Sequence, residues 1–248
     1  MRIALISDIH GNDVAFEEVL ADIGKQGVDS IICLGDVATL GPQPTETLNR
    51  LKGLEASCIL GNHDASLLQP EKALDYKIAE HLTPTLQWCL EKLNSSDFEF
   101  LLSYQPTLQV PLGGSDEMLC YHGSPKSNID NIFPETSLDE IGRFLSGYTA
   151  KVMAGGHTHI QMLRQYNGMM IVNPGSVGNA FLAPHTSQKQ PTLLPWAEYA
   201  IVDWLNRRIS VEFKRVSYDI DHLYQTIRDS DIPLKDWLLT QFKWPLNG

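Results

Sequence analysis

The stretch from Ile3 to Asn12 constrains the fold of this chain more than any other. Four consecutive apolar residues, beginning at Ile3, predict a short buried strand. Asp8 and His10 follow two positions apart, a spacing that places both side chains on one side of an extended segment. A carboxylate beside an imidazole at a strand end forms half of a divalent-metal site. Gly11 permits a sharp turn, and Asn12 is a suitable N-cap for a following helix.

The same arrangement recurs along the chain. Further short apolar runs are each followed by residue types that bind metals or phosphate, in the order Gly35-Asp36, Gly61-Asn62-His63-Asp64, His122-Gly123 and Gly156-His157-Thr158-His159. Together with the first stretch, these motifs contain five of the eight histidines. Strands that alternate with helices predict a largely parallel sheet with helices packed on it. Because such folds bind ligands at the carboxyl ends of their strands, we expect the motifs to converge.

The remaining elements follow from periodicity and from turn residues. Strands are predicted over 2–7, 29–34, 57–60, 107–111, 117–121, 151–154 and 169–172, with a hairpin of 198–203 and 208–214. Helices are predicted over 12–26 and 44–52, over 71–93 with an interruption at Pro84, from the capping box at Ser137, and over 219–242 with a break at Pro233. Residues 179–196 are predicted to form a long loop. Since no linker or repeat is apparent, residues 1–248 are predicted to form a single domain.

The ordered set of motifs resembles the calcineurin-like metallophosphoesterase superfamily, and most of all its small prokaryotic phosphodiesterase and phosphatase branch. The resemblance covers residues 1 to about 180 and implies a four-layer α/β sandwich that holds two metal ions. It implies that Asp8, His10 and His159 hold one ion, that Asn62, His122 and His157 hold the second, and that Asp36 bridges both. It also implies that a hydroxide shared by the ions is the nucleophile.

Other residues take roles beside the metals. Histidine ligands favour Mn, Fe, Zn, Co or Ni over Mg and Ca. The resemblance assigns His63 as the general acid or a phosphate donor, with Asp64 orienting its imidazole. Asn12 is a candidate substrate-binding residue. Gly175 and Ser176 belong either to a substrate-side loop or to a simple turn.

One position departs from the pattern of related enzymes. Protein phosphatases and diadenosine tetraphosphate hydrolases of this superfamily carry Gly-Asp-x-x-x-Arg-Gly, whereas this chain has Leu40 at the arginine position. A bidentate phosphate donor is therefore missing from the motif. This departure favours small phosphodiester substrates over both of those substrate classes and over phosphomonoesters.

Composition limits the partners. The chain has 19 Lys and Arg residues against 30 Asp and Glu residues, a formal net charge of −11, and no basic cluster. We therefore expect a small phosphorylated substrate and not a long nucleic acid. No run reaches the roughly 18 apolar residues that span a bilayer, and no signal peptide is apparent, so we expect a cytoplasmic protein without membrane contact. The composition is compatible with a homo-oligomer.

Two alternatives to a small-substrate phosphoesterase are considered. Some members of this fold are protein-binding scaffolds, but the retromer scaffold has lost the acid histidine, whereas His63 and every ligand position are filled in this chain. A nuclease is disfavoured because the chain lacks a groove of interleaved basic and aromatic residues. Dinucleoside polyphosphate hydrolysis and protein dephosphorylation remain alternatives within the enzyme class, weakened by Leu40.

Overall fold

Two five-stranded mixed sheets form the centre of the molecule. The computed structural model describes residues 1–184 and 190–242. The first sheet has the order β10-β9-β1-β2-β3, with β1 Arg2–Ile6, β2 Ser30–Cys33, β3 Ser57–Cys58, β9 Ala197–Leu205 and β10 Arg208–Val216. The second has the order β4-β5-β6-β8-β7, with β4 Leu108–Gly113, β5 Asp116–Cys120, β6 Val152–Ala154, β7 Gln161–Tyr166 and β8 Met169–Pro174.

Helices cover the outer faces of both sheets. They are α1 Asp13–Ile23, α2 Pro44–Lys52, α3 Asn62–Leu68, α4 Thr83–Lys92, α5 Ser95–Leu102, α6 Leu138–Leu145, α7 Ile220–Asp229 and α8 Lys235–Leu239. Short 3₁₀ helices occupy Pro70–Lys72 and Glu80–Leu82. No helix in the described part of the chain is long and apolar enough to cross a membrane.

The continuous apolar run of β1 follows from burial on both faces. Ile3 and Leu5 point toward the second sheet, where they pack in one cluster with Met118 and Val152. The alternate residues of β1 pack in a separate cluster with the helices of the first sheet. A third cluster packs α6 against the outer face of the second sheet. The result is a helix–sheet–sheet–helix sandwich, which confirms the fold class expected from the sequence.

The strands that lead into the motifs are parallel to one another. β1 pairs with β2 and β2 with β3 in the first sheet, while β5 pairs with β6 and β6 with β8 in the second, all in parallel. Antiparallel pairs extend these parallel centres on the β9 side of the first sheet and at both edges of the second. The parallel centres place the motif loops at one end of the sandwich.

Several elements differ from the predictions. Helix α5 and strand β7 were not predicted, although Asn94 caps α5 through a capping box with Asp97. The helix predicted over 71–93 is shorter, because Pro84 lies in the first turn of α4, where a missing N–H costs nothing. Residues 185–189 of the loop predicted over 179–196 lie outside the described residues, and so do residues 243–248.

Candidate metal centre

Three motif residues from different loops form a first cluster. Asp8 and His10 follow β1, and His159 follows β6, yet their potential ligand atoms all lie within 4.8 Å of one another. Nε2 of His159 lies 3.2 Å from Oδ1 of Asp8 and 3.1 Å from Nε2 of His10. All three side chains are buried. The structure therefore brings together the first set of ligands that the sequence analysis assigned.

A second cluster lies beside the first. Asp36 follows β2, and His122 and His157 follow β5 and β6; these three also meet the 4.8 Å limit. Nε2 of His122 is 3.3 Å from Oδ2 of Asp36 and 3.2 Å from Oδ1 of Asn62. Nδ2 of Asn62 donates to the carbonyl of Tyr76, which turns the amide oxygen toward the histidine.

Asp36 connects the two clusters. Its Oδ2 atom, which faces His122, is also 3.9 Å from Nε2 of His10 in the first cluster. Oδ1 accepts a hydrogen bond of 2.9 Å from the backbone N–H of His63. One carboxylate oxygen is thereby anchored to the backbone, and the other lies between the two groups of ligands.

Five of the cluster residues have left-handed backbone conformations. The φ angles are positive at Asp8 (55°), His10 (49°), Asp36 (59°), His157 (68°) and His159 (58°). Each such non-glycine residue costs of order 1–3 kcal/mol and persists only where surrounding structure fixes it. Positive φ turns each side chain away from the direction of its strand, so the loops aim their ligands inward at an energetic cost.

Backbone carbonyls orient two of the imidazoles. Nδ1 of His122 contacts the carbonyl of Leu34 at 2.6 Å, and Nδ1 of His159 contacts the carbonyl of Asn179 at 2.8 Å. In both rings Nε2 therefore faces the cluster. A partner on the far ring nitrogen is the usual arrangement for a metal-ligating histidine, because it fixes the tautomer and raises ligand basicity.

Asp8 has one satisfied and one unsatisfied oxygen. Oδ2 accepts hydrogen bonds from the Ser7 hydroxyl at 2.5 Å and from the backbone N–H of His157 at 3.0 Å. Oδ1 is buried and has no hydrogen-bond partner among the described residues. Since buried carboxylate oxygens are normally paired, this unpaired oxygen fits the role of a metal ligand.

The electrostatics of the clusters fit a cation site. Burial lowers the pKa of both His10 and His157 to about 3, so these imidazoles are neutral, which is the form that binds metals. Burial alone would lower the pKa of His122, but the charge of the Asp36 carboxylate and its hydrogen bond outweigh burial and raise the pKa to about 10. Burial alone would raise the pKa of Asp36, yet the neighbouring histidines hold this pKa well below the usual range. Carboxylate, imidazole and amide donors together suit divalent transition metals.

Asp64 has a different contact from the one predicted. Its oxygens accept hydrogen bonds from the backbone N–H groups of Asp36 (2.6 Å), Val37 (3.0 Å) and Gly61 (3.1 Å). Burial and the charge of Asp36 raise its pKa to about 7. Asp64 therefore ties the Asp36 loop to the start of α3, and these contacts go to backbone donors and not to the imidazole of His63, which the sequence analysis expected it to orient.

His63 lies at the edge of the clusters. Its ring packs edge-on against that of His10, with 5.0 Å between ring centroids, and the ring lines a cavity. Burial lowers its pKa. His63 is thus close to the assigned ligands while its backbone anchors Asp36, a position that suits contact with substrate.

Three predicted substrate-binding residues lie behind the clusters. Oδ1 of Asn12 accepts from the N–H of Ala15 as a helix cap, and its Nδ2 donates to the carbonyl of Gly178. The hydroxyl of Ser176 donates to the carbonyl of Asp8, and Gly175 packs against Glu198. None of the three lines the main cavity of the described residues, although Asn12 lines a second, small cavity beside His10 and Leu40.

A cavity of about 420 Å³ opens onto both clusters. Beyond the motif residues it is lined by side chains that no sequence motif indicated, among them Lys77, His81, Phe133, Phe181, Trp237 and Leu238. Phe181 stacks on His159 with 4.3 Å between centroids. These residues were missed because they come from loops and from α8, whose spacing carries no recognisable pattern.

Comparisons with known proteins agree with this geometry. An uncharacterized protein of Methanocaldococcus jannaschii is 28% identical over 243 residues, which cover 95% of each chain. A symmetrical bis(5'-nucleosyl)-tetraphosphatase of an Acidovorax species is 34% identical over 128 residues, which make up 50% of this chain and 44% of that enzyme. This chain thus matches less than half the length of the second relative.

Solved structures share the fold. A metallophosphoesterase from Sphaerobacter thermophilus is 25% identical with a TM-score of 0.75, covering 97% of this chain and 98% of that one. A hypothetical protein from Pyrococcus horikoshii has a TM-score of 0.79 at 21% identity, covering 97% of both chains. The model of the calcineurin-like phosphoesterase superfamily domain matches residues 1–194, a span that contains both clusters. The chain therefore belongs to the calcineurin-like phosphoesterase superfamily.

Proposed function

We propose that this protein is a two-metal phosphoesterase that hydrolyses phosphodiester bonds in small phosphorylated substrates. The observation that carries the proposal is the position of Asp36, whose Oδ2 atom lies between the two ligand clusters that line the cavity. A pair of divalent ions bound there would supply Lewis acidity and an activated water at neutral pH.

The residues of the site would have separate roles in metal binding, ligand orientation and proton transfer. Asp8, His10 and His159 would hold one ion, and Asn62, His122 and His157 the other, with Asp36 shared between them. The carbonyl-anchored imidazoles keep their ligand atoms aimed at the site before substrate arrives. His63 would donate a proton to the leaving oxygen of the substrate or a hydrogen bond to its phosphate.

The charge around the cavity supports a diester over a monoester. Leu40, which stands at the arginine position of related enzymes, lines the cavity. Lys77 is the one Lys or Arg among the described lining residues. A dianionic monoester requires more positive charge around its free oxygens than a monoanionic diester does.

Dinucleoside polyphosphate hydrolysis is a second candidate. It is favoured by the 34% identity to the bis(5'-nucleosyl)-tetraphosphatase, although the match covers only half of this chain. The two candidates differ in their preferred substrate, so an assay on both substrate types separates them.

The test uses the full chain, stripped of metal and reloaded with Mn. We expect a higher kcat/KM on bis-para-nitrophenyl phosphate than on para-nitrophenyl phosphate or diadenosine tetraphosphate. The Asp36→Asn variant should lose activity and at least one metal, because the amide lacks both the charge and the second acceptor oxygen. Absence of hydrolysis by the Mn-loaded chain, or full activity in that variant, would contradict the proposal.

A further inference from the structure

The main cavity has two chemically different parts. The ligand clusters form one part of its lining, and four large apolar residues, here called the wall, also line it: Phe133, Phe181, Trp237 and Leu238. Its volume of about 420 Å³ lies in the range of roughly 300–1,000 Å³ that is typical of pockets for drug-sized ligands. A phosphoryl group alone would leave the part along this wall empty.

Hydrogen bonds join the wall to the metal centre. The N–H of Phe181 donates to the carbonyl of His159 at 3.1 Å, and Phe181 pairs with Leu193 in an isolated β-bridge. The N–H of Leu193 donates in turn to the carbonyl of Gln241, just after α8. The cavity wall is therefore held at a set position relative to a candidate metal ligand.

Trp237 is the largest side chain of the wall. It lies on α8, and its ring packs against His81 with 5.3 Å between centroids and an interplanar angle of 69°. The side chain of Gln190 donates to the carbonyl of Trp237 at 3.0 Å, which ties α8 to the loop after Phe181. α8 follows residues 1–194, which the family model matches, so Trp237 and Leu238 lie outside the matched domain, whereas Phe133 and Phe181 lie inside it.

We propose that Trp237 determines substrate specificity by stacking on a flat aromatic group carried by one ester substituent of the scissile phosphodiester. The proposal rests on the proposed phosphoesterase function and names the class of its substrate: a phosphodiester with an aryl or nucleobase substituent. Aromatic rings stack favourably on indole in a partly desolvated site, whereas a small alkyl group would leave the wall exposed to water.

Two phosphonates with a non-hydrolysable P–C bond test the proposal. Calorimetric titration of the Mn-loaded full chain should give a Kd for phenylphosphonate that is about 5- to 100-fold lower than for methylphosphonate, the range expected for stacking of one ring. Phenylphosphonate should also quench the intrinsic tryptophan fluorescence more than methylphosphonate does. Both probes carry the same phosphonate group, so the comparison isolates the ring.

Three variants assign the effect to Trp237. The Trp237→Ala variant should lower the ratio of the two Kd values to below about 3, while Trp237→Phe should retain most of it because a ring remains. Leu239→Ala is the matched control, since Leu239 lies on the same helix but packs against the core and does not line the cavity. That variant should keep the ratio even if the protein is less stable.

The outcomes separate this inference from the proposed function. Equal Kd values for the two phosphonates in the unmodified chain, or an unchanged ratio in Trp237→Ala, would overturn the role of Trp237 while leaving hydrolysis of diesters intact. Loss of the ratio in Leu239→Ala with the cavity residues unchanged would also overturn it, because the effect would then belong to the packing of α8. Failure of the proposed function would show instead as absent hydrolysis of the nitrophenyl diester.

Discussion

At the scale of single residues, Asp36 is held in place through both its backbone and its side chain. Its backbone N–H donates to Asp64, its Oδ1 accepts from His63, and its Oδ2 faces histidines of both clusters. Its backbone is left-handed, with a φ of 59°. A residue fixed at both backbone and side chain is pre-organised, so little reordering is required when a cation or substrate binds.

The first residue-scale prediction concerns His63. If it protonates the leaving oxygen, His63→Ala should lower kcat by about 10²–10⁴-fold on an alkyl or nucleoside ester. The loss should be smaller on a nitrophenyl ester, whose leaving group needs little protonation. Metal content, measured by elemental analysis, should remain unchanged. Equal losses on both substrates would assign His63 to phosphate binding, and a fall in metal content would make it a ligand.

The second residue-scale prediction concerns Lys77. It lines the cavity and makes no ion pair with any described residue, so its charge is available to substrate. Lys77→Ala should raise KM for a phosphomonoester by about 5- to 20-fold with little change in kcat, because a charged hydrogen bond in the ground state is lost. Lys77→Arg should restore most of the affinity.

Lys72→Ala provides the matched control for Lys77. Lys72 lies on the preceding 3₁₀ helix, bonds to Gln69 and does not line the cavity. Steady-state kinetics on both variants should show an effect only for Lys77. An equal change in the two variants would indicate a general charge effect rather than contact with substrate.

At the scale of elements, the β9–β10 hairpin packs against the loop that supports the candidate metal centre. β9 lies beside β1, and Arg2 of β1 forms ion pairs with Asp203 of β9 and Glu212 of β10. Glu198 of β9 is buried against Gly175, in the loop whose Ser176 hydroxyl holds the backbone of Asp8. The hairpin thus reaches the site through packing and not through a ligand.

The element-scale prediction uses two glutamates of this hairpin with opposite pKa shifts. Burial raises the pKa of Glu198 above its ordinary value of 4.5, so the folded state holds its proton longer than the unfolded state does. The contribution of Glu198 to the free energy of unfolding should therefore fall as the pH rises from about 4.5 through the raised pKa. Glu198→Gln should remove that contribution, which is measured as the difference between the urea-unfolding free energies of the variant and the unmodified metal-free chain between pH 4.5 and 7.

Glu212→Gln is the comparison of opposite sign. Hydrogen bonds from Lys214 and Arg2 lower the pKa of Glu212. Its stabilisation is present above the ordinary pKa and is lost as the pH falls through the lowered one, so this variant should change stability mainly below about pH 4.5. The assignment fails if Glu198→Gln and the unmodified chain show parallel curves between pH 4.5 and 7.

At the scale of the whole molecule, the two clusters join the two sheets. In the first cluster Asp8 and His10 come from the first sheet, and His159 comes from the second. In the second cluster Asp36 comes from the first sheet, while His122 comes from the second. Each cluster therefore spans the interface between the sheets, and a cation bound there would link them.

The whole-molecule prediction follows from this placement. Mn at 100 times its Kd should stabilise the chain by about 2.7 kcal/mol for each site that it fills. For a chain of this size, each filled site should therefore raise the Tm by roughly 5–10 °C. Elemental analysis should find close to two ions per chain, and a chelator should reverse the shift. In Asp36→Asn the shift should be smaller. One ion or none after reconstitution would argue against a two-metal centre.

The order of the amino acids was enough to predict which residues follow the strands and what chemistry they carry. Apolar runs such as that beginning at Ile3 indicate strands buried on both faces. The Asp and His residues that follow them carry the carboxylate and imidazole groups that bind divalent ions. Because this information is local, the ends of most strands and the cap of α6 were predictable from the chain.

The contacts that surround the ligand motifs depend on how the chain folds. Asp64 and Ser176 bind backbone groups of distant loops, and Trp237 reaches the cavity from the last described helix; none of these contacts follows from spacing along the chain. The packing of two sheets and a terminal helix sets them, because contacts between residues far apart in sequence depend on how all layers fit together. The ligand motifs could be recognised in the sequence, whereas the residues that line the cavity around them could be identified only from the fold.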